Sequence, residues 1–236
     1  MDIVDKLPLL QGGELRVTGR LVDASNATLY ATSVLDSAEM LCIYKPVAGE
    51  RPLWDFSEGS LAHREYAAYL VSTEIGFDLV PLTVLRDGPY GFGMAQEWIT
   101  IDESIDLAVF FSSDHPRLRL MAIFDAIINN TDRKIGHLLP IDTETVFGCD
   151  HGVTFHVDDK LRTVLWQWAE EPFTADEIEL LERAHGLMID ELGDKLQPYL
   201  THEEIQATVS RIKRLIDTAR FPLPNPNWPA VPWPAF

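Results

Sequence analysis

Cysteine is scarce in this chain, which argues against two common ways of stabilising a small protein. Of the 236 residues, only Cys42 and Cys149 are cysteines. Each lies in an apolar run, and their separation does not match the spacing of zinc ligands. Disulfide-stapled secreted domains and cysteine-based metal sites are therefore disfavoured. The pattern instead predicts two buried thiols in a protein of the reducing cytoplasm.

Positive charge is also scarce. The chain has 19 Lys and Arg residues against 37 Asp and Glu residues, a formal net charge of −18. Nucleic acids and anionic membranes are bound by basic surfaces, because phosphate charge must be offset. The composition therefore predicts no nucleic-acid partner and argues against a membrane lipid as partner or substrate.

Long apolar runs are missing as well. No segment approaches the roughly 18 apolar residues that a membrane-spanning helix requires. The first residues include Asp2, Asp5 and a single Lys, which does not resemble a signal peptide. Hydrophobic residues still make up 46% of the chain, with eleven Phe and six Trp. This is enough for a sizeable core in one large or two small domains.

The first hundred residues carry the alternation that is typical of half-buried strands. The turn signal at 23–26 separates the first two strands, and a Gly- and Pro-containing turn at 87–91 separates the last two. A helix that begins after Ser60 interrupts the series. The chain therefore predicts a five-stranded antiparallel sheet with one helix. The predicted strands cover residues 14–22, 27–34, 40–46, 78–86 and 92–99.

Helical patterns dominate from about residue 100 onward. Asp114 is a plausible N-cap for a helix that runs to Ile128. Capping boxes at Thr174 and Thr201 begin two more helices. The first of these is expected to stop near Ala184, before Gly186, and a further helix is expected from Met188 to Leu196.

The last residues, 221–236, are rich in proline and contain Trp228 and Trp233. Such a segment can neither continue a helix nor pair within a sheet. We expect it to pack in a groove on the body of the protein. The alternative is a polyproline-II ligand for another protein.

Two acids stand at the edges of apolar elements between residues 125 and 152. Asp132 follows the helix that ends near Ile128, and Asp150 follows a short apolar run. Phosphoryl transfer needs such a pair, because one acid orients the attacking group and the other holds the magnesium that bridges the phosphates. Lys45 ends the third predicted strand, where an ammonium can neutralise the phosphates of ATP. Each residue alone also fits an ordinary solvated position.

The motifs around these acids carry a family resemblance. Asn130-Thr131-Asp132-Arg133 and Asp150-His151-Gly152 resemble the catalytic and metal-binding loops of the phosphatidylinositol 3-/4-kinase-like and HipA-like branch of the protein-kinase superfold. Tyr44-Lys45-Pro46 resembles the Phe-Lys-Pro of the lipid kinases. The chain is similar to a family of uncharacterised actinobacterial proteins with this pattern. The resemblance covers roughly residues 14–155.

The resemblance implies an α+β, two-lobed kinase-like fold. Its N-terminal lobe of sheet and helix would cover residues 1–98, and its mainly helical C-terminal lobe would cover residues 99–220. The Pro- and Trp-rich tail, 221–236, would pack on this body.

The resemblance also implies a site for ATP with Mg²⁺ or Mn²⁺. Glu65, on the first helix, would hold Lys45 over the phosphates. Asp132 would be catalytic, with Arg133 bracing its loop, and Asp150 would bind the metal. Two groups of residues would contact the nucleotide: Ser25 and Asn26 at the phosphates, and Met94, Gln96, Glu97 and Trp98 around the adenine.

Two features of the sequence leave the activity open. His137 stands where the family has a metal-binding Asn, and imidazole suits Mg²⁺ less well than an amide oxygen. A Gly-rich phosphate loop is also missing. The main hypothesis is a kinase that acts on a protein or small-molecule acceptor, with His137 joining Asp150 at the metal. The alternatives are a nucleotide-binding pseudokinase that serves as a scaffold, and a transferase with other nucleotide chemistry such as AMP transfer.

Overall fold

The computed structural model describes residues 5–21 and 27–236. The expected phosphate-loop residues Ser25 and Asn26 lie outside the described residues, so their placement stays a prediction. The described chain forms one five-stranded sheet, one two-stranded sheet and seven α-helices. No described helix combines the length and the apolar character needed to cross a bilayer.

The five-stranded sheet is antiparallel throughout, as the alternation predicted. Its spatial order is β1-β2-β3-β5-β4, so β3 is central and its Lys45 pairs with Met94 of β5. Strand β3 can approach β5 closely because position 93 is glycine: a Cβ there would lie 2.3 Å from the Lys45 carbonyl oxygen. The strands are β1 (Glu14–Arg20), β2 (Leu29–Leu35), β3 (Ala38–Pro46), β4 (Thr83–Gly88) and β5 (Gly91–Glu97).

Two helices accompany this sheet, although only one was predicted. Helix α1 (Lys6–Gly12) precedes β1 and is capped by Asp5, whose carboxylate accepts from the Leu7 amide at 3.2 Å. Its Leu10 packs into a small cluster against the sheet, so docking stabilises a helix too short to persist alone. Helix α2 (Leu61–Ile75) lies between β3 and β4 and ends at Gly76, which has a φ of 88°.

Helix α2 is capped by a residue that the sequence analysis did not single out. Ser60 occupies the N-cap position, but its hydroxyl donates to the Ser57 carbonyl. The Glu50 carboxylate accepts instead from the amides of Leu61 (3.1 Å) and Ala62 (2.9 Å). The amides of the first turn, which lack partners within the helix, are thus satisfied by a carboxylate from the preceding loop, which also complements the helix dipole.

The remainder of the described chain is mainly helical. Asp114 was wrongly predicted as the N-cap of α4: His115 caps it, and the Asp114 carboxylate accepts from the Trp168 indole. Gly186 does not end α5, because the buried Ala184 and Met188 on either side of it continue one helical face. The elements are α3 (Leu107–Phe110), α4 (Pro116–Ile128), β6 (Leu138–Pro140), β7 (Val146–Gly148), α5 (Ala175–Ile189), α6 (Glu191–Leu196) and α7 (His202–Thr218).

Both predicted capping boxes are present. The hydroxyls of Thr174 and Thr201 accept from the third amide of α5 and α7, and Glu177 and Glu204 accept from the threonine amides in return. Residues 153–159 form no strand. Beyond them, Thr163 forms an isolated parallel bridge with Arg133, which lies in the loop after α4.

Helix α4 runs through the centre of the larger hydrophobic cluster. Its Leu118, Met121 and Phe124 are fully buried, and Phe124 packs on Phe77, which follows α2, with ring centroids 5.4 Å apart. Because α4 is fixed on most sides, the loop that follows it starts from a defined point. That loop begins with Asn129, whose left-handed backbone (φ 51°) ends the helix.

Candidate active site

The structure brings Lys45, Glu65 and Asp150 together in one ion-pair set. The Lys45 ammonium lies 2.6 Å from Glu65 Oε1 and 2.9 Å from Asp150 Oδ1. The other oxygen of Glu65 accepts from the His151 amide at 2.9 Å. Glu65 is nearly inaccessible, with 2% of its surface exposed. A central strand, a helix and the loop after β7 are therefore connected by a single carboxylate.

The charges within this set reinforce each other. The Lys45 ammonium holds the pKa of Asp150 well below its usual range. Burial alone would lower the pKa of Lys45, but Asp150 and Glu65 outweigh burial and raise it. Lys45 is thus a permanent cation and Asp150 a permanent anion at neutral pH. Such a pair offers one positive and one negative site side by side.

Arg133 is fully buried and does not reach the solvent-filled part of the site. Its guanidinium contacts both carboxylate oxygens of Asp125 on α4, the Cys149 carbonyl at 3.0 Å and His151 Nε2 at 2.7 Å. Arg133 therefore ties the loop after α4 to the loop after β7. This contact set is that of a brace, and the loops it joins are those that carry Asp132 and Asp150.

Asp132 lies between two cations. Its carboxylate oxygens are each 3.4 Å from a partner, Lys134 Nζ on one side and Arg162 Nη2 on the other. Burial raises the pKa of Asp132, and the charge of Asp150 adds to this, while Lys134 opposes it. A carboxylate with a raised pKa is a better proton acceptor. Asp132 and Asp150 line the same cavity.

His137 lies beside Asp150. Its Nε2 is 3.4 Å from Asp150 Oδ2, and its Nδ1 faces the Lys134 amide at 3.5 Å. Burial lowers the pKa of His137 to about 4, although Asp150 opposes the shift. The imidazole is therefore neutral at physiological pH. Within residues 5–21 and 27–236, no three His, Cys, Asp or Glu side chains gather as a metal site would require.

The residues predicted to surround adenine do not line the cavity. Met94 is fully buried in β5, and the Gln96 amide donates to Thr83 Oγ1 at 2.9 Å. The backbone amides of Glu97 and Trp98 already donate to the carbonyls of Leu82 and Leu41. The Glu97 and Trp98 amides are therefore already engaged, and contact between this segment and the adenine stays a prediction.

The cavity itself measures about 490 Å³ and extends from Lys45 to the C-terminal tail. The sequence analysis did not assign several of its lining residues to the site: Glu50, Trp54, Thr131, Arg162 and Trp228. Trp54 lies in a Pro- and Gly-containing loop. A Trp in such a loop is the one local signal by which the sequence could have assigned Trp54 to the site. Trp228 is brought in by tertiary packing, for which no local pattern exists.

Comparisons with known proteins were made on the whole chain. No family model matches it. Protein Rv2133c of Mycobacterium tuberculosis is 42% identical over an alignment 271 positions long, which covers 98% of this chain and 96% of that protein. This chain belongs to the Rv2133c family. The membership fits the actinobacterial resemblance of its motifs.

The fold is shown by a solved structure. The crystal structure of a Helicobacter pylori proinflammatory kinase, CtkA, superposes with a TM-score of 0.51 at 11% identity, covering 89% of this chain and 95% of that one. At this identity the likeness concerns the fold alone. It confirms the α+β, two-lobed kinase-like fold for this member of the Rv2133c family.

Proposed function

We propose that this chain is an ATP-dependent phosphotransferase, which transfers the γ-phosphoryl group of ATP to a hydroxyl group of a protein or small-molecule acceptor. The observation that carries the proposal is the ion-pair set of Lys45, Glu65 and Asp150, with Asp132 lining the same cavity. The kinase-like fold supports it at a coarser level. We retain lobes at 1–98 and 99–220, with the tail at 221–236, as the proposed division.

Each side chain has a role that follows from its surroundings. Lys45, held by Glu65, would bind the phosphate oxygens. Asp132 would orient the acceptor hydroxyl and take up its proton, and Arg133 would brace both loops. Asp150, with His137 beside it, would hold Mg²⁺ or Mn²⁺. Magnesium in kinase sites takes one or two carboxylates and completes its shell with phosphate and water, so this sparse ligand set is sufficient.

The metal ion, when bound, would neutralise charge on the phosphates during transfer. Binding of the base remains a proposal at the segment from Gln96 to Trp98. Because two of its amides are engaged, carbonyl oxygens would accept from the adenine amino group there. Ser25 and Asn26 remain the proposed cover over the phosphates.

The test is to measure ATP binding by calorimetry and ADP formation by a coupled assay, with Mg²⁺ and with Mn²⁺. Asp150→Asn should abolish metal-dependent ATP binding. Asp132→Asn should keep binding near wild type and lower turnover by roughly a hundredfold or more, as expected for loss of a general base. Asp36→Asn is the matched control, since Asp36 lies in the exposed β2–β3 turn. Wild-type turnover in Asp132→Asn would refute the assignment.

A nucleotide-binding pseudokinase acting as a scaffold is the second candidate. The observation that favours it is His137, a neutral imidazole 3.4 Å from Asp150 in the place of the amide ligand. This candidate expects ATP binding without turnover in either metal. His137→Asn separates the two readings, because turnover that appears only in this variant would mean that the wild type has lost a metal ligand.

A further inference from the structure

The acceptor side of the cavity is bounded by two aromatic residues from distant parts of the chain. Trp54 comes from the β3–α2 loop, residues 47–60, and Trp228 from the C-terminal tail. Lys160 joins them, because its Nζ lies 4.7 Å from the Trp54 ring centroid and 5.0 Å from that of Trp228. Cation–π contacts of this kind attract each ring to the ammonium. The loop and the tail therefore form one continuous wall.

This wall is fixed to the catalytic loop. The Lys160 ammonium is also paired with Asp55 at 2.9 Å, and only 5% of the Lys160 surface is exposed. The Lys160 backbone amide donates to Asn129 Oδ1 at 3.0 Å. Asn129 ends α4, just before the loop that carries Asp132. The wall is thus held at a defined position relative to the proposed base.

The tail covers residues 159–166, a segment that includes the cavity-lining Arg162. The Asn225 side-chain amide donates to the Asp159 carbonyl at 2.8 Å. The Thr163 amide and the Trp166 indole both donate to the Ala230 carbonyl, at 3.0 and 2.9 Å. While these bonds are made, an extended protein segment cannot lie along residues 159–166.

Both ends of the tail are anchored, which makes it part of the fold. Phe221 is buried in the large core, and the Ala235 carbonyl accepts from the Ile135 amide at 2.9 Å. The tail between them contains no Ser, Thr or Tyr, so it offers no hydroxyl of its own to the site. Its prolines limit the freedom of the unbound segment, which lowers the entropic cost of holding it in place.

The size of the cavity suits small ligands. Its whole volume, which the phosphates of ATP and the acceptor would share, is about 490 Å³, within the range of roughly 300–1,000 Å³ that small-molecule pockets occupy. Trp54 is 84% exposed at the rim and offers an aromatic face for stacking. The indole Nε1 of Trp228 is buried and has no partner among the described residues.

We infer that the acceptor is a small hydroxylated molecule with a ring or hydrocarbon face that stacks on Trp54, and that the tail forms one wall of its site. This inference rests on the proposed phosphotransferase function. In the transfer step the acceptor oxygen bonds to the γ-phosphorus, and the bond from that phosphorus to the β–γ bridging oxygen breaks. ADP leaves with the bond's electron pair, and the hydroxyl proton passes to Asp132.

The first experiment follows label from γ-labelled ATP into two fractions of a mycobacterial extract, one of low molecular mass and one of protein. Full-length chain is supplied with Mg²⁺ or Mn²⁺. We expect the label in the low-mass fraction. Label transferred to proteins alone would overturn the inference and leave the phosphotransferase function standing. ATP binding with label in neither fraction would overturn both, and so would failure to bind ATP.

The second experiment tests the wall with matched tryptophan variants. Trp228→Ala should lower transfer to the low-mass fraction by roughly tenfold, about 1.4 kcal/mol of lost contact, through a higher KM for the acceptor and with ATP affinity unchanged. Trp233→Ala is the control, because Trp233 is 92% exposed and does not line the cavity. Protein labelling that rises in Trp228→Ala would show instead that the tail inhibits a protein kinase. Unchanged transfer would refute the wall.

Discussion

The imidazole of His137 couples the candidate site to pH. Burial lowers the pKa of His137 to about 4, from an ordinary value near 6.5. As the pH falls from about 6.5 towards about 4, His137 therefore binds a proton in the unfolded chain but not in the folded chain. Stability contributed by His137 is present above pH 6.5 and is lost as the pH falls through this window.

We predict that the free energy of unfolding falls by about 2 kcal/mol through His137 alone between about pH 7.5 and about pH 5. Urea unfolding at both values measures it. His137→Asn should remove this share, while His202→Asn, at an exposed position, should keep it. His151, whose pKa burial also lowers, contributes equally to both proteins and cancels in the comparison. Identical pH slopes for wild type and His137→Asn would contradict the prediction.

The residues of the site differ in whether a short stretch of sequence is enough to predict their role. Lys45, Glu65, Asp132 and Asp150 could be proposed from short motifs and their order, and the structure brings all four to one cavity. Glu50 could not, because it caps a helix eleven residues away and such a contact leaves no periodic trace. The hydrogen bonds of the Glu97 and Trp98 amides could not be predicted either, since they depend on which strands lie beside β5.

Among the elements, α2 must be placed most accurately, because it carries Glu65. Its neighbouring Arg64 is buried and pairs with Glu204 of α7, and also donates to the Thr154 carbonyl at 2.6 Å. Glu204 at the same time completes the capping box of α7. One carboxylate thus fixes the start of α7 and connects it to the helix on the sheet side of the cavity.

Arg64→Met should lower the free energy of unfolding by about 3–5 kcal/mol, because it leaves a carboxylate unpaired at a buried site. The affinity for ATP should fall with it, since α2 positions Glu65. Thermal and urea unfolding measure the first effect. Arg16→Met is the control: Arg16 pairs with Glu14 on the surface, where such a pair contributes about 0–1 kcal/mol. If Arg64→Met lowers the free energy of unfolding by less than the control variant does, α2 is held by packing alone.

Elements with strong periodicity were predicted well, and short or exceptional ones were not. The five strands follow from alternation, and the starts of α5 and α7 from their capping boxes. Helix α1 was missed because its seven residues include Pro8 and are held by docking onto the sheet. Gly186 was mistaken for a stop, because burial of the flanking residues outweighs the modest cost of a helical glycine.

At the scale of the whole molecule, the net charge of −18 is the dominant electrostatic fact. Charge of one sign repels itself in the compact state and destabilises it. Raising NaCl from about 0.01 M to about 0.15 M shortens the screening length from about 30 Å to about 8 Å. We therefore predict that the Tm rises over this range, measured by differential scanning calorimetry. A falling Tm would mean that the ion pairs, which salt also screens, outweigh the repulsion.

The order of the elements along the chain was enough to predict the fold class, because sheet strands come first and helices follow. The arrangement of the tail could not be predicted in detail, since prolines exclude helix and sheet interior but do not select one path for the segment. Its hydrogen bonds to Asp159, Thr163 and Ile135 depend on a surface assembled from two separate segments of the chain.

Glu50 has a consequence for how this site can diversify. Glu50 lies near the start of the β3–α2 loop and caps α2 at the end of that loop. Residues 51–60 therefore form a closed loop whose two ends are held together. Lengthening such a loop costs little, about 0.6 kcal/mol for each doubling of a flexible loop. Residues around Trp54 can therefore be inserted or exchanged without moving Glu65. The rim of the cavity and the ion-pair set of Lys45, Glu65 and Asp150 can change independently on this scaffold.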